Sequence, residues 1–512
     1  MRTSRCTERH RSAVSADRGH LRRGSGGIGP TMVALLLSVG TGASVAALGA
    51  GHAIRPVALI ATATILVAAA PIVFRLITNR FDIFEPLVGG CLMLGILFGG
   101  RPIAMLITQD TIYHDGTLLE PYFTEATTMG LFATVIFVVA YEFTRSRLER
   151  RPPRRPPRSY ERNLRLAYDY GIVVSIAGLG LFAAFLARTG SIGGGLQLLT
   201  AGSSEALQTL NDSSTEYFTS APIAAACAGI VITIVAGRQL TRRQGLIVGL
   251  AVLAPVISNF ALGGRRFLIP SIAIPVLAYY LVAGRRPALR GFFGVLFVAA
   301  IVLATIPFAR VDVAREQAGG VLPIFQKAFA SPLKPLERFI TGPDTEMVAA
   351  LTVEVGALEN TGDYAFGRAT VGDLAIAPIP RILFPSKPTT ARNEILTNLF
   401  GAPCDAVGGF CPDFSVVGTF FQDGWYVGVV LGMVLLGAAS AAVWQRYLRA
   451  RDNPYAVLLA SSWAVFLPIL VRAGFMPAFA WFLYFLIPSA LGLWIAARPI
   501  GADSPRSTTQ LS

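Results

Sequence analysis

The sequence predicts an all-α, polytopic transmembrane helix bundle of about 12 spans with one large, partly helical extracytoplasmic loop. Three observations predict it. The 512 residues are 53% hydrophobic and only 14% charged, whereas a soluble domain carries about 25% charge. The apolar residues gather in runs close to the ~20 residues that a spanning helix needs. The positive charges collect in alternate segments between those runs, a pattern that records membrane orientation.

Taken in order, the apolar runs fall at 30–50, 56–74, 86–107, 128–143, 169–187, 221–236, 245–262, 267–283, 291–308, 425–443, 455–471 and 475–496. Backbone polar groups must be satisfied inside lipid, so these runs are expected to be helices. With the N-terminus inside, the inner segments hold Arg75 and Arg80, the arginines from Arg145 to Arg165, then Arg238, Arg242 and Arg243, Arg285, Arg286 and Arg290, and Arg446, Arg449 and Arg451. Residues 108–127 and 189–220 carry acids and no Lys or Arg. This asymmetry places both termini in the cytoplasm of a plasma-membrane protein. Residues 1–29 read as a disordered basic cytoplasmic tail, 30–308 as the first nine spans, 309–424 as the outer loop, 425–496 as the last three spans, and 497–512 as a second tail. The net charge of +14 does not indicate nucleic acid, because the basic residues are topological markers. The Pro/Arg stretch Arg151–Arg158 reads as an extended inner loop; a topology determinant is the plainer role, contact with anionic membrane lipid the functional one.

Loop 309–424 carries a periodic apolar stretch from Met347 to Val353. Pro343, Asp344 and Glu346 before it suit the first turn of a helix.

Candidate chemistry lies where arginine breaks the orientation rule. Arg265 and Arg266 occupy a short outer turn, Gly263-Gly264-Arg265-Arg266. Arg101, Arg188, Arg310 and Arg472 sit at outer helix ends. A guanidinium fork matches phosphate oxygens, so these residues suit a lipid-linked diphosphate; snorkelling to headgroups is the plainer alternative. A proline-stiffened stretch, Ile379-Pro380-Arg381-Ile382-Leu383-Phe384-Pro385-Ser386-Lys387-Pro388, would hold Arg381 and Lys387 in a fixed relation, with Arg392 close behind. Asp423 lies where the chain returns to the membrane, placed to pair with an arginine or accept a proton. Trp425 and Tyr426 beside it fit an interfacial aromatic belt.

Four histidines, His10, His20, His52 and His114, show no ligand spacing. No phosphate-binding glycine loop or nucleophile elbow occurs. No metal and no cofactor is therefore expected. Cys404 and Cys411 are the two cysteines of the outer loop, and a disulfide between them is expected on an oxidising face.

The chain resembles the bacterial Wzy-type O-antigen and exopolysaccharide repeat-unit polymerases. The likeness rests on the late outer loop, on the turn Gly263-Gly264-Arg265-Arg266-Phe267, and on Gly367-Arg368-Ala369-Thr370 followed by the proline-rich stretch and an apolar helix opening near Asp423-Gly424. It covers residues 250–445. The resemblance implies a metal-independent glycosyltransferase acting on polyprenyl-diphosphate-linked oligosaccharide, with flippase and chain-length regulator proteins as partners. The candidate substrate-diphosphate site is Arg265, Arg266, Arg310, Arg381, Lys387, Arg392 and Arg472, and the catalytic candidates are Arg265, Arg266, Arg381 and Asp423; the resemblance itself points to no residue as the general base. Two other functions remain open. An O-antigen ligase would usually show a histidine in the outer loop, and residues 309–424 contain none. A flippase or transporter of lipid-linked oligosaccharide would show internal halves of similar pattern.

Overall fold

The computed structural model describes residues 54–108, 120–151, 160–188, 221–262, 265–288, 321–335, 345–376, 388–400 and 414–499, with scattered positions elsewhere between 291 and 386. The helices are α1 (Ile54–Ile77), α2 (Pro86–Thr108), α3 (Glu120–Arg150), α4 (Leu164–Arg188), α5 (Ile223–Ala236), α6 (Arg242–Leu262) and α7 (Arg265–Ala283). After these come α8 (Val321–Ala330), α9 (Met347–Thr361), the one-turn α10 (Asp373–Ile376), α11 (Ala391–Phe400), α12 (Val416–Arg449), α13 (Pro454–Ala473) and α14 (Phe475–Ala496). The described positions between 291 and 305 are helical as well.

Among the described residues, seven helices are long and apolar enough to cross a membrane: α1 to α4 and α12 to α14. The chain is a multi-pass membrane protein on that ground. The runs at 221–236 and 267–283 form shorter apolar helices, and the run at 30–50 lies outside the described residues. The run at 128–143 is the middle of the longer helix α3, and the helix expected from 425 begins at Val416. Pure hydropathy misses these extensions because their ends are polar or broken.

Local sequence explains several boundaries. Asn453 caps α13 by accepting from the Tyr455 and Ala456 N–H groups, with Pro454 at the first helical position. Ser415 accepts the Gly418 N–H at 3.2 Å to open α12. Gly362 closes α9 in the left-handed conformation. The expected loop helix is therefore present as α9, but it does not lie loosely on a surface. Met347 to Leu351, Val355 and Leu358 are buried, and the helix packs against α3 and α12.

α3 and α12 make the central pair. At Gly437 the backbones meet so closely that an added Cβ would lie 2.6 Å from the Phe137 carbonyl oxygen. The core continues through α5, α13 and α14. Apolar side chains remain exposed on outward faces, among them Leu59, Ile172, Val173, Ile176, Leu431 and Leu435, as lipid-facing positions require.

One end of this bundle is a polar layer. Arg75 donates to Glu85 at 2.8 and 3.0 Å and pairs with Glu142 at 2.6 Å. Glu85 also accepts from Tyr141 at 2.7 Å and from Arg145 at 3.2 Å. Arg145 reaches Glu149, which accepts in turn from Gln445. Arg286 pairs with Asp82, and Arg449 donates to the Leu148 and Arg151 carbonyls. A two-stranded antiparallel ladder joins β1 (Tyr160–Arg162) to β2 (Ala497–Pro499), with Glu161 opposite Arg498. Residues 497–499, assigned to a tail from the sequence, thus form a strand. The segments on which positive charge concentrates come together at this basic end.

Candidate functional site

The opposite end is organised by a break in α12. Gly424 (φ −171°, ψ 35°) and Trp425 (φ 55°, ψ −150°) leave helical geometry. A positive φ at a bulky residue stores strain of about 1–3 kcal/mol and needs surrounding structure to hold it. The break folds residues 416–423 back onto the start of the long membrane segment. Gly428 faces the Phe420 carbonyl, and Gly432 faces the Phe420 ring; neither position has room for a Cβ.

The fold-back also presents polar groups. The Gln422 carbonyl accepts the Ala365 N–H at 2.8 Å. Asp423 accepts the Ala369 N–H at 2.8 Å through Oδ1 and the Thr370 hydroxyl at 2.5 Å through Oδ2. Ala369 and Thr370 belong to a π-helical turn, Arg368–Gly372, a geometry that recurs at functional sites. Asp423 thus lies just before the break in α12. Both of its oxygens hold the π turn, which makes it a positioning residue here.

Between the fold-back, the π turn and the start of α14 lies a cavity of about 50 Å³. Its polar lining is Asp373, Thr390, Thr419 and Gln422; Phe414, Met476 and Pro477 form the apolar side. Thr419 donates to the Ser415 carbonyl and accepts the Phe475 N–H at 3.3 Å, which locks α12 to α14. Gln422 is 2% exposed, and its Nε2 is buried without a hydrogen-bond partner. Buried polar groups are nearly always satisfied in a native fold, so such an atom marks a place for a ligand or water. Asp373 is 6% exposed, and its Oδ2 accepts the Ala391 N–H at 2.8 Å where α11 begins. Burial pushes the Asp373 carboxyl above the usual carboxylate range; the Ala391 N–H and Arg368 oppose this, while Asp423 and Glu394 add to it.

Two arginines adjoin wall residues along the chain. Arg368 immediately precedes Ala369 on the cavity wall; it pairs with Glu394 at 2.7 Å and donates to the Thr389 carbonyl at 3.0 Å. Arg472, half-buried, immediately precedes Ala473 of the wall. The Phe267 ring packs edge-on against Trp481 at 5.7 Å. That contact brings the start of α7, which Arg265 and Arg266 open, to the same end of α14 as Met476 and Pro477.

Arg101 is not part of a headgroup ring. It is 1% exposed and pairs with Glu346 at 3.7 Å, just before α9. Nearby, the Tyr426 hydroxyl donates to Glu125. Burial, and then the charge of Glu125, raise the Glu359 carboxyl above its usual range. Among the described residues no group of three or more His, Cys, Asp or Glu is placed to hold a metal ion.

Arg310, Arg381, Lys387, Cys404 and Cys411 lie outside the described residues, as do the side chains of Arg188, Arg265, Arg266 and Arg392. The expected convergence of the arginines and the expected disulfide both rest on these positions. The site gains four residues that sequence reading did not single out by role: Arg368, Asp373, Thr419 and Gln422. Only Arg368 carried a signal, through its place in the Gly367-Arg368-Ala369-Thr370 resemblance. No family model, curated protein or solved structure matches this chain.

Proposed function

We propose that this chain is a membrane glycosyltransferase that polymerises polyprenyl-diphosphate-linked oligosaccharide repeat units at the outer face of the plasma membrane. The observation that carries the reading is the cavity at the non-basic end, lined by an acid, an amide and hydroxyls, with Arg368 and Arg472 each preceding a wall residue in the chain. Transfer from a lipid diphosphate asks for two things. Cations must stabilise the charge that develops on the leaving diphosphate, and an acceptor hydroxyl must be placed and deprotonated. Both kinds of group stand at one interface here. The basic end would face the cytoplasm by the positive-inside rule, which puts the cavity outside. Lipid-linked donor and acceptor would approach laterally, with their diphosphates at headgroup level. Flippase and chain-length regulator proteins are the partners this activity implies, and neither a metal nor a nucleotide sugar is needed.

Deleting the gene tests the reading in cells. Surface polysaccharide should collapse from a ladder to single repeat units on a gel, and the full-length gene should restore the ladder. An unchanged ladder would overturn the proposal. Repeat units trapped on the inner leaflet would show that the chain is instead the flippase.

A further inference from the structure

We infer that Asp373 is the group that takes the proton from the acceptor hydroxyl, and that Gln422 holds that hydroxyl's oxygen. The inference rests on the polymerase reading and adds to it a residue, an atom and a direction of proton flow.

Cavity size comes first. One water needs about 10–15 Å³ of such space, so a cavity of about 50 Å³ admits a hydroxyl or hydroxymethyl arm of the acceptor sugar. The cavity walls then decide what the inserted group meets. Asp373 Oδ2 is committed to the Ala391 N–H, while Oδ1 makes no hydrogen bond among the described residues. Gln422 Nε2 is a buried donor with nothing to donate to. An inserted hydroxyl satisfies both: it accepts from Gln422 Nε2 and donates to Asp373 Oδ1. Thr419 is excluded from this role, because its hydroxyl already donates to Ser415 and accepts from Phe475. Asp423 does not line the cavity, and the π turn draws a hydrogen bond to each of its oxygens.

The step then balances. The acceptor O–H breaks and its proton moves to Asp373. The oxygen forms a bond to C1 of the donor glycan. The C1–O bond to the diphosphate breaks, and its electron pair leaves with polyprenyl diphosphate. Arg368, whose charge acts on Asp373, and Arg472, which precedes the wall residue Ala473, are the cations that would meet that negative charge. The charged groups facing Asp373 are Arg368, Asp423 and Glu394; burial is the largest cause that raises its carboxyl, Asp423 and Glu394 add to it, and Arg368 opposes it. A base of raised pKa is a stronger acceptor for the hydroxyl proton.

The Ala391 bond offers a clean test, because asparagine can accept it as well as aspartate. Asp373→Asn therefore keeps the cap of α11 and removes only the proton acceptor. Full-length wild-type protein, Asp373→Asn, Asp373→Glu and Gln422→Ala are reconstituted in liposomes with purified polyprenyl-diphosphate-linked repeat units, and initial rates are followed against pH. Wild-type activity should rise with pH through a pKa above the ordinary carboxylate range. Asp373→Asn should lose about 100-fold or more with an unchanged melting temperature. Asp373→Glu should recover part of the rate with a shifted acidic limb, and Gln422→Ala should mainly raise KM for the acceptor. Asp373→Asn activity within about threefold of wild type, with the same pH profile, would overturn the assignment while leaving the polymerase reading intact. Polymerisation absent from the wild type itself would overturn both.

Discussion

Glu85→Ala should destabilise the folded protein by about 3–5 kcal/mol, the usual cost of removing one partner from a buried ion pair. Glu85 is 3% exposed and Arg75 2%, so neither charge has water to fall back on. Removing the carboxylate takes two hydrogen bonds from Arg75 and the acceptors of Tyr141 and Arg145 in one step. Glu142 remains near Arg75 at 2.6 Å, which keeps the loss short of a wholly unpaired guanidinium. Glu85→Gln should fall between the two, since an amide oxygen still accepts from Tyr141 but carries no charge. The melting temperature of detergent-solubilised protein reads this directly. An unchanged melting temperature would mean that the layer tying α1, α2 and α3 is ornamental to stability.

Gly428→Ala should abolish polymer formation by more than about tenfold while the protein stays in the membrane. A Cβ there would strike the Phe420 carbonyl oxygen. Backbone cannot swing aside as a side chain can, so the cost is at least the ~1–3 kcal/mol of ordinary overpacking. The fold-back would open, withdrawing Gln422 from the cavity and Asp423 from the π turn. Asp423→Ala should act through the same geometry with a smaller loss, because it removes charge-assisted hydrogen bonds worth about 1.5–3 kcal/mol each and leaves the backbone alone. Polymer ladders and membrane abundance, measured together, separate a lost site from a lost fold. Equal activity of Gly428→Ala and wild type would show that the break at Gly424 and Trp425 has no bearing on function.

The helices were legible in the sequence wherever one apolar run made one straight element. The run at 86–107 became Pro86–Thr108, and that at 475–496 became Phe475–Ala496. The α9 helix was legible too, from the periodicity of Met347 to Val353. The break in α12 was not, because a positive φ at Trp425 follows from no local propensity; the surrounding packing imposes it. Gly428 and Gly432 receive the chain's own preceding turn, a close approach that no local pattern announces. Asp423 stood out in the sequence, but its partners Ala369 and Thr370 are more than 50 residues away along the chain. Asp373 carried no signal. Its burial depends on Phe414, Met476 and Pro477, segments that only the fold brings together. Charge patterning sorted the helix ends, because orientation acts on each short loop separately.

The reading of the cavity as a polymerising site meets its most direct test in a defined system. Purified full-length protein in liposomes, supplied only with polyprenyl-diphosphate-linked repeat units, should yield lipid-linked products of two, three and more repeats. Free polyprenyl diphosphate should be released in step with each new linkage, without added metal or nucleotide sugar. Lipid-linked single units recovered unchanged, with no diphosphate released, would contradict the account.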